Sequence, residues 1–172
     1  IRDEQEVAAT SRKMRAIAGD IPILFTVRSE QEGGQPISLT EEEKIRLFET
    51  VCESGAIDLL DYELAHGPRI PIVRELTRRY GVRLVLSYHN FDHTPSKEEL
   101  VAKMRQAEQC GADIAKAAVM PKTRGDVLTL LQATEEARKE VDIPLITMSM
   151  GALGAITRLA GGLFGSAVTF AV

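Results

Sequence analysis

Residues 111–121 read Gly-Ala-Asp-Ile-Ala-Lys-Ala-Ala-Val-Met-Pro. A glycine that ends a helix and a proline enclose this run, which predicts a strand over residues 113–120. The strand is apolar on both faces, as is typical of a parallel strand covered by helices. Lys116 is the exception, and burial of an amine favours its neutral form, which attacks carbonyl carbons to form Schiff bases. The alternative is a lysine near the strand end whose ammonium group reaches solvent.

The same alternation of helix and strand runs along the whole chain. The predicted helices are 3–18, 40–54, 70–80, 96–110, 124–140 and 152–160, and the predicted strands are 21–28, 57–64, 82–89, 113–120, 143–150 and 166–171. This order predicts an α/β fold with a parallel sheet. No Gly-x-Gly-x-x-Gly turn follows the first strand, which counts against a dinucleotide-binding fold. Polar residues instead close several strands, which favours a barrel over an open doubly wound sheet; they are Arg28, Glu63, His89, Lys116 and Ser149.

Composition excludes several classes of function. The 172 residues are enough for one domain with a sizeable core, and we predict a single domain over 1–172. A net charge of −4 without a basic stretch argues against nucleic-acid binding, and no apolar run is long enough to span a membrane. The N-terminus does not resemble a signal peptide, and Cys52 and Cys110 form no close-spaced motif, so we expect a cytoplasmic protein. The three histidines lack metal-ligand spacing and predict no metal site.

His89 is the last residue of the predicted strand 82–89, which precedes the predicted strand 113–120 that contains Lys116. Strand alternation places it on one face with Ser87, and at the mouth of a barrel it would serve as a general acid or base near neutral pH. The alternative is a histidine bonded to a loop carbonyl. Neighbouring parallel strands lie about 5 Å apart, so we expect the side chains of His89 and Lys116 to meet.

Arg28 and Glu32 follow the first strand in a loop that continues with two glycines. Arg28 is a candidate for binding a carboxylate or hydroxyls, and its alternative is an exposed charge at a strand end. Glu32 is a candidate for orienting His89, as a carboxylate orients the histidine of a catalytic triad, or else it is a solvated loop acid. Asp61 and Glu63 share one face of their strand and need a cationic partner if that face is buried. Lys116 or Arg28 would serve.

Arg158 follows a glycine-containing loop after the strand over residues 143–150. Such a loop lets a ligand approach the backbone closely, and Arg158 would then bind a carboxylate through two parallel hydrogen bonds, in a bidentate pair. The alternative is an ordinary exposed helix arginine. Met148 and Met150 share a face and would form an apolar wall, although core packing accounts for them equally well.

Together these residues resemble the type I 3-dehydroquinate dehydratases of the shikimate pathway. The similarity extends over nearly the whole chain, in consistent order and spacing. Its motifs are Phe25-Thr26-Val27-Arg28, Glu32-Gly33-Gly34, Asp61-Tyr62-Glu63-Leu64, Ser87-Tyr88-His89-Asn90-Phe91, Thr94-Pro95, Gly111-Ala112-Asp113, Lys116, Ala118-Val119-Met120-Pro121, Asp126-Val127-Leu128, Ile146-Thr147-Met148-Ser149-Met150-Gly151, Arg158, Phe164-Gly165-Ser166-Ala167 and Thr169-Phe170.

The resemblance implies a (β/α)8 TIM barrel without metal or organic cofactor, and a homodimer. Lys116 would form a Schiff base with 3-dehydroquinate, and His89 would be the general acid/base. Glu32 would pair with His89. The expected substrate-binding residues are Arg28, Arg158, Met150 and Phe170.

Against the family pattern, the chain begins at the helix before the third barrel strand and lacks the first two strands. It also stops before the substrate-covering loop and the final helix. Six strands cannot close an eight-stranded barrel, and unpaired strand edges tend to aggregate, so we expect the sequence to be part of a longer chain. Asn90 stands where some members carry Asp. Two alternatives stay open: a class I aldolase that also uses a Schiff base, and an inactive truncated barrel that binds a ligand or a partner chain.

Overall fold

The computed structural model describes residues 4–170. Its α-helices are Glu4–Ala18 (α1), Glu41–Glu53 (α2), Ile70–Arg79 (α3), Lys97–Gln109 (α4), Arg124–Glu140 (α5) and Ile156–Ala160 (α6). Its strands are Leu24–Thr26 (β1), Leu59–Glu63 (β2), Arg83–Asn90 (β3), Ile114–Val119 (β4) and Leu145–Ser149 (β5). Three short 3₁₀ helices cover Glu30–Glu32, Leu64–Arg69 and Gly161–Phe164.

The five strands form one sheet whose order follows the chain, β1-β2-β3-β4-β5. β1 pairs with β2 and β4 pairs with β5 in parallel. A strand order that never reverses is that of a barrel, because a doubly wound sheet changes direction at a switch point. The predicted α/β class is confirmed. Contacts divide the chain into two compact units, Ile1–Val85 and Leu86–Val172, and the single domain predicted over 1–172 stays a prediction.

The first unit is anchored by side chains that bond backbone groups. At the start of α2, Thr40 accepts a bond from the Glu43 amide while Glu43 accepts one from the Thr40 amide, which forms a capping box. The Asp58 carboxylate accepts hydrogen bonds from the Arg15 guanidinium of α1 and, at 2.6 Å, from the Ile23 amide. That amide bond, reinforced by Arg15, lowers the pKa of Asp58. Aromatic rings fill the core, with Phe25 and Tyr62 packed edge-on against Phe48.

The second unit has an apolar core with a neutral hydroxyl pair inside it. Its largest fully buried side chains are Leu86, Leu100, Met104, Leu130 and Leu145. The hydroxyl of Thr134 bonds that of Thr147 at 2.8 Å and joins α5 to β5. Capping boxes begin α4 at Ser96 and α5 at Thr123.

The predicted strand over 166–171 is wrong for the residues that the structure describes, 166–170. Ser166 forms only an isolated bridge with Leu145. Gly165 turns the chain immediately before it, with φ of +106°. The Ser166 hydroxyl, rather than a main-chain carbonyl, accepts the Thr147 amide at 3.0 Å, so the side chain interrupts the ladder. Residue 171 lies outside the described part.

Between residues 4 and 170, no helix is both long enough and apolar enough to traverse a lipid bilayer.

Candidate active site

Arg28 lies just beyond β1 at the centre of a carboxylate cluster in the first unit. Its guanidinium lies 2.7 Å from an oxygen of Asp61 and 3.2 Å from oxygens of both Glu32 and Glu63. The three acids are almost fully buried, with side-chain exposures of 7% for Glu32, 0% for Asp61 and 3% for Glu63. Buried charges are tolerated only when paired, and Arg28 is a cationic partner of the kind that Asp61 and Glu63 were predicted to need.

The loop after Arg28 is folded tightly onto its backbone. Ser29 caps the 3₁₀ helix that carries Glu32, and the Gly34 amide bonds the Ser29 carbonyl at 2.7 Å. A Cβ atom at Gly34 would lie 2.1 Å from the Arg28 carbonyl oxygen, so only glycine fits there. The glycines predicted to form a loop therefore hold Glu32 beside Arg28.

His66 also belongs to this cluster, and it is not among the site residues predicted from the sequence. Its Nε2 lies 3.0 Å from Oε2 of Glu63, and its Nδ1 lies 3.7 Å from Glu41 at the start of α2. Its ring packs against that of Tyr62, with centroids 5.2 Å apart. The one available signal was the spacing Glu63-x-x-His66, which faces the two side chains toward each other once the chain turns helical after β2.

Lys116 is the third residue of the six-residue strand β4, every residue of which is buried. It is mid-strand rather than at the strand end, and 9% of its surface is exposed. Alanines flank it on both sides in the strand. Its Nζ lies 4.8 Å from the centre of the Phe170 ring, a cation–π distance. The predicted Lys116 and Phe170 are thus brought together in the second unit.

Arg158 is held by backbone oxygens. Its Nε donates to the carbonyl of Phe170 and its Nη1 to the carbonyl of Ser149, each at 3.1 Å. The loop between β5 and α6 is close-packed, because a Cβ atom at Gly154 would lie 2.2 Å from the Ser149 oxygen. Arg158 is therefore not the ordinary exposed arginine of the alternative reading, since it joins the segment bearing Phe170 to the end of β5.

His89 lies near the end of β3 and Met150 just after β5, on either side of β4 in the sheet. The ring of His89, next to last in β3, stacks with that of Phe91 at a centroid distance of 6.4 Å. The Met120 amide bonds the carbonyl of Asn90 at 2.9 Å and ties the end of β3 to that of β4. The Met150 amide bonds the carbonyl of Val119 at 2.8 Å and does the same for β4 and β5. The roles expected for these residues, and the pairing of Glu32 with His89, stay predictions.

Among residues 4–170, no group of three or more His, Cys, Asp or Glu side chains is arranged to hold a metal ion.

Comparison with known proteins identifies the family. The model of the type I 3-dehydroquinase family matches residues 1–172. The chain is 77% identical, over its whole length, to the 3-dehydroquinate dehydratase of Geobacillus thermodenitrificans, of which it covers 67%. It is 68% identical to that of Geobacillus kaustophilus, again covering 67%. The chain therefore spans about two thirds of the length of these curated relatives.

Solved structures agree with the sequence comparison. The crystal structure of the Geobacillus kaustophilus 3-dehydroquinate dehydratase superposes with a TM-score of 0.98, covering 99% of this chain and 66% of that one. A type I 3-dehydroquinate dehydratase from Clostridium difficile, solved with covalently modified comenic acid, superposes with a TM-score of 0.94 at 40% identity, covering 98% of this chain and 66% of that one. The match to the family model over the whole sequence, and relatives this similar, show that the chain belongs to the type I 3-dehydroquinase family.

Proposed function

We propose that this protein dehydrates 3-dehydroquinate to 3-dehydroshikimate through a Schiff base on Lys116. The observation that carries the proposal is the position of this amine, 9% exposed in the middle of a wholly buried strand, beside an aromatic ring. Its family membership supplies the substrate. The covalently modified ligand in the Clostridium difficile relative is consistent with covalent chemistry in this family.

The reaction begins at the substrate ketone. The uncharged amine of Lys116 attacks the carbonyl carbon, and loss of one water gives an iminium ion. The iminium is a better electron sink than the ketone, so a hydrogen on the adjacent carbon becomes more acidic. His89 removes that proton and leaves an enamine. General acid–base catalysis of this kind contributes about 10²–10⁴-fold.

Elimination and release complete the cycle. The enamine expels the hydroxyl group β to the former ketone, and His89 returns the proton to the leaving oxygen. Water then hydrolyses the conjugated imine and frees Lys116. One water is released on imine formation, one is eliminated and one is consumed, so the net change is loss of one water. A single base acting on both groups suits removal of hydrogen and hydroxyl from the same side.

The remaining residues position the substrate. Arg28 and Arg158 bind the hydroxyls and the carboxylate of the substrate, because a guanidinium group forms bidentate hydrogen bonds with such oxygens. Met150 and Phe170 contribute apolar contacts, and Glu32 orients His89. From the family resemblance we further propose a homodimer that needs no metal or organic cofactor. We also propose a cytoplasmic location, because Cys52 and Cys110 form no close-spaced motif.

Borohydride trapping tests the Schiff base. The full-length protein, incubated with 3-dehydroquinate and reduced, should carry a substrate adduct that peptide mass spectrometry assigns to Lys116. Lys116→Ala should abolish the adduct, while the control Lys103→Ala should retain it, because that lysine lies on α4 against Tyr88. The absence of an adduct in the parent protein would refute the mechanism. An adduct formed only with an aldolase substrate would instead favour a class I aldolase.

A further inference from the structure

Glu63 is the point at which the arginine cluster connects to the rest of the first unit. One of its oxygens, Oε1, accepts the Ser29 amide at 2.7 Å and lies 3.2 Å from the Arg28 guanidinium. Its other oxygen, Oε2, is bonded by Nε2 of His66 at 3.0 Å. Both oxygens of a carboxylate that is only 3% exposed are thus engaged, and Arg28 shares Glu63 with His66.

His66 is itself held on several sides. The Tyr62 ring covers one face at 5.2 Å, and the Tyr62 hydroxyl donates to Glu41 at 3.2 Å. Glu41, which lies 3.7 Å from Nδ1 of His66, is fixed in turn by Lys44 at 2.6 Å. These contacts hold the imidazole beside Glu63 and near the start of α2.

We propose that His66 is a positioning residue that keeps the Arg28 guanidinium available to substrate by satisfying the second oxygen of Glu63. This inference rests on the proposed function, in which Arg28 contacts the substrate. Without His66, a buried carboxylate oxygen would lose its donor, and a hydrogen bond to a charged group contributes about 1.5–3 kcal/mol. Arg28 already lies 3.2 Å from the other oxygen of Glu63, and a planar guanidinium pairs with carboxylates through two parallel bonds. Arg28 would then turn toward Glu63 and away from substrate.

Steady-state kinetics of the full-length protein test this role. His66→Leu removes the donor, whereas His66→Gln retains an N–H donor at about the reach of Nε2. We expect His66→Leu to raise KM for 3-dehydroquinate about tenfold or more, as loss of such a bond implies, with kcat changed much less. His66→Gln should recover most of the affinity. His93→Leu is the matched control, because this exposed histidine on the loop after β3 should leave both constants unchanged.

A purely structural role predicts a different result. In that case both His66 variants would lower Tm while KM below the melting transition stayed at the parent value, and the proposal would be overturned. Crystal structures of the parent and His66→Leu give a readout that does not depend on activity: Arg28 should form two bonds to Glu63 in the variant. An unmoved guanidinium refutes the inference even if turnover is normal. Failure of the parent to form the Lys116 adduct refutes the proposed function instead.

Discussion

Arg28 and Lys116 are both basic side chains at the sheet, but the contacts that hold them differ. Arg28 lies within 3.2 Å of three carboxylates. Lys116 lies between alanines in a buried strand, and the centre of the Phe170 ring lies 4.8 Å from its Nζ. A guanidinium stays charged in any protein environment, which suits it to holding anionic and hydroxyl groups. An amine attacks a carbonyl only after losing its proton. The two regions therefore suit different tasks, substrate positioning and covalent chemistry.

The largest effect should come from His89, the proposed acid/base beside the lysine strand. His89→Ala should lower kcat by about 10²–10⁴-fold, the usual contribution of general acid–base catalysis. The imine on Lys116 should still be trapped by borohydride, because its formation precedes the proton transfer. The measurement is the rate of appearance of the product's conjugated enone absorbance. Unchanged turnover would remove His89 from the chemistry and weaken the assignment of catalysis to this region.

The next largest effect is on stability, and it distinguishes Arg28 from Lys116. Arg28→Met should lower the free energy of unfolding by about 3 kcal/mol, because it removes the positive charge that three buried carboxylates share. Lys116→Met should abolish turnover, because no amine is left to attack the ketone, and it should destabilise the fold less than Arg28→Met, because Arg28 is shared by three buried carboxylates. Urea unfolding followed by circular dichroism measures both. Equal destabilisation by the two substitutions would mean that the two cations are held in the same way.

The same contrast explains what could be read from sequence. Lys116 stood out because a single charged residue in an apolar run violates the strand pattern. The predicted helix over 124–140 agrees with α5, which Thr123 caps in the structure. The cluster around Arg28 was only partly foreseen. Asp61 and Glu63 signalled a need for a cation, but which cation met them depended on the fold of the loop after β1.

Two features caused no break in a strand or helix pattern that could reveal them. His66 lies in a short 3₁₀ helix whose backbone departs from helical geometry at that residue, with φ of −84° and ψ of 33°, and apolar periodicity does not report such turns. The false strand after residue 165 had the composition of a strand. It is interrupted because a serine hydroxyl replaces a main-chain acceptor, a competition between side chain and backbone that residue type alone does not decide.

The smallest predicted effect is a loss of stability of the first unit at low pH. Burial opposes ionisation of Glu41 and would raise its pKa. The hydrogen bond from Lys44 and the charge of the nearby His66 outweigh burial, so the pKa of Glu41 lies below its ordinary value. The pKa of Asp58 is lowered chiefly by the Ile23 amide. A group whose folded pKa is depressed stabilises the fold fully above its unfolded pKa, about 4, and progressively less as pH falls through the folded value. The first unit should therefore lose stability as pH drops below about 4.

Hydrogen exchange resolved by peptide, measured at neutral pH and below about pH 4, tests where that loss occurs. Glu41→Gln should weaken the acid dependence of protection in α2 peptides and leave that of α5 unchanged. Asp126→Asn is the matched variant, because the amides of Thr123 and Lys122 lower the pKa of Asp126 at the start of α5, and it should act on α5 alone. If Glu41→Gln left the α2 profile as steep as in the parent, the network from Glu41 through His66 to Glu63 would not be stabilising this unit. Arg28 would then have to be positioned by its three carboxylates without help from α2.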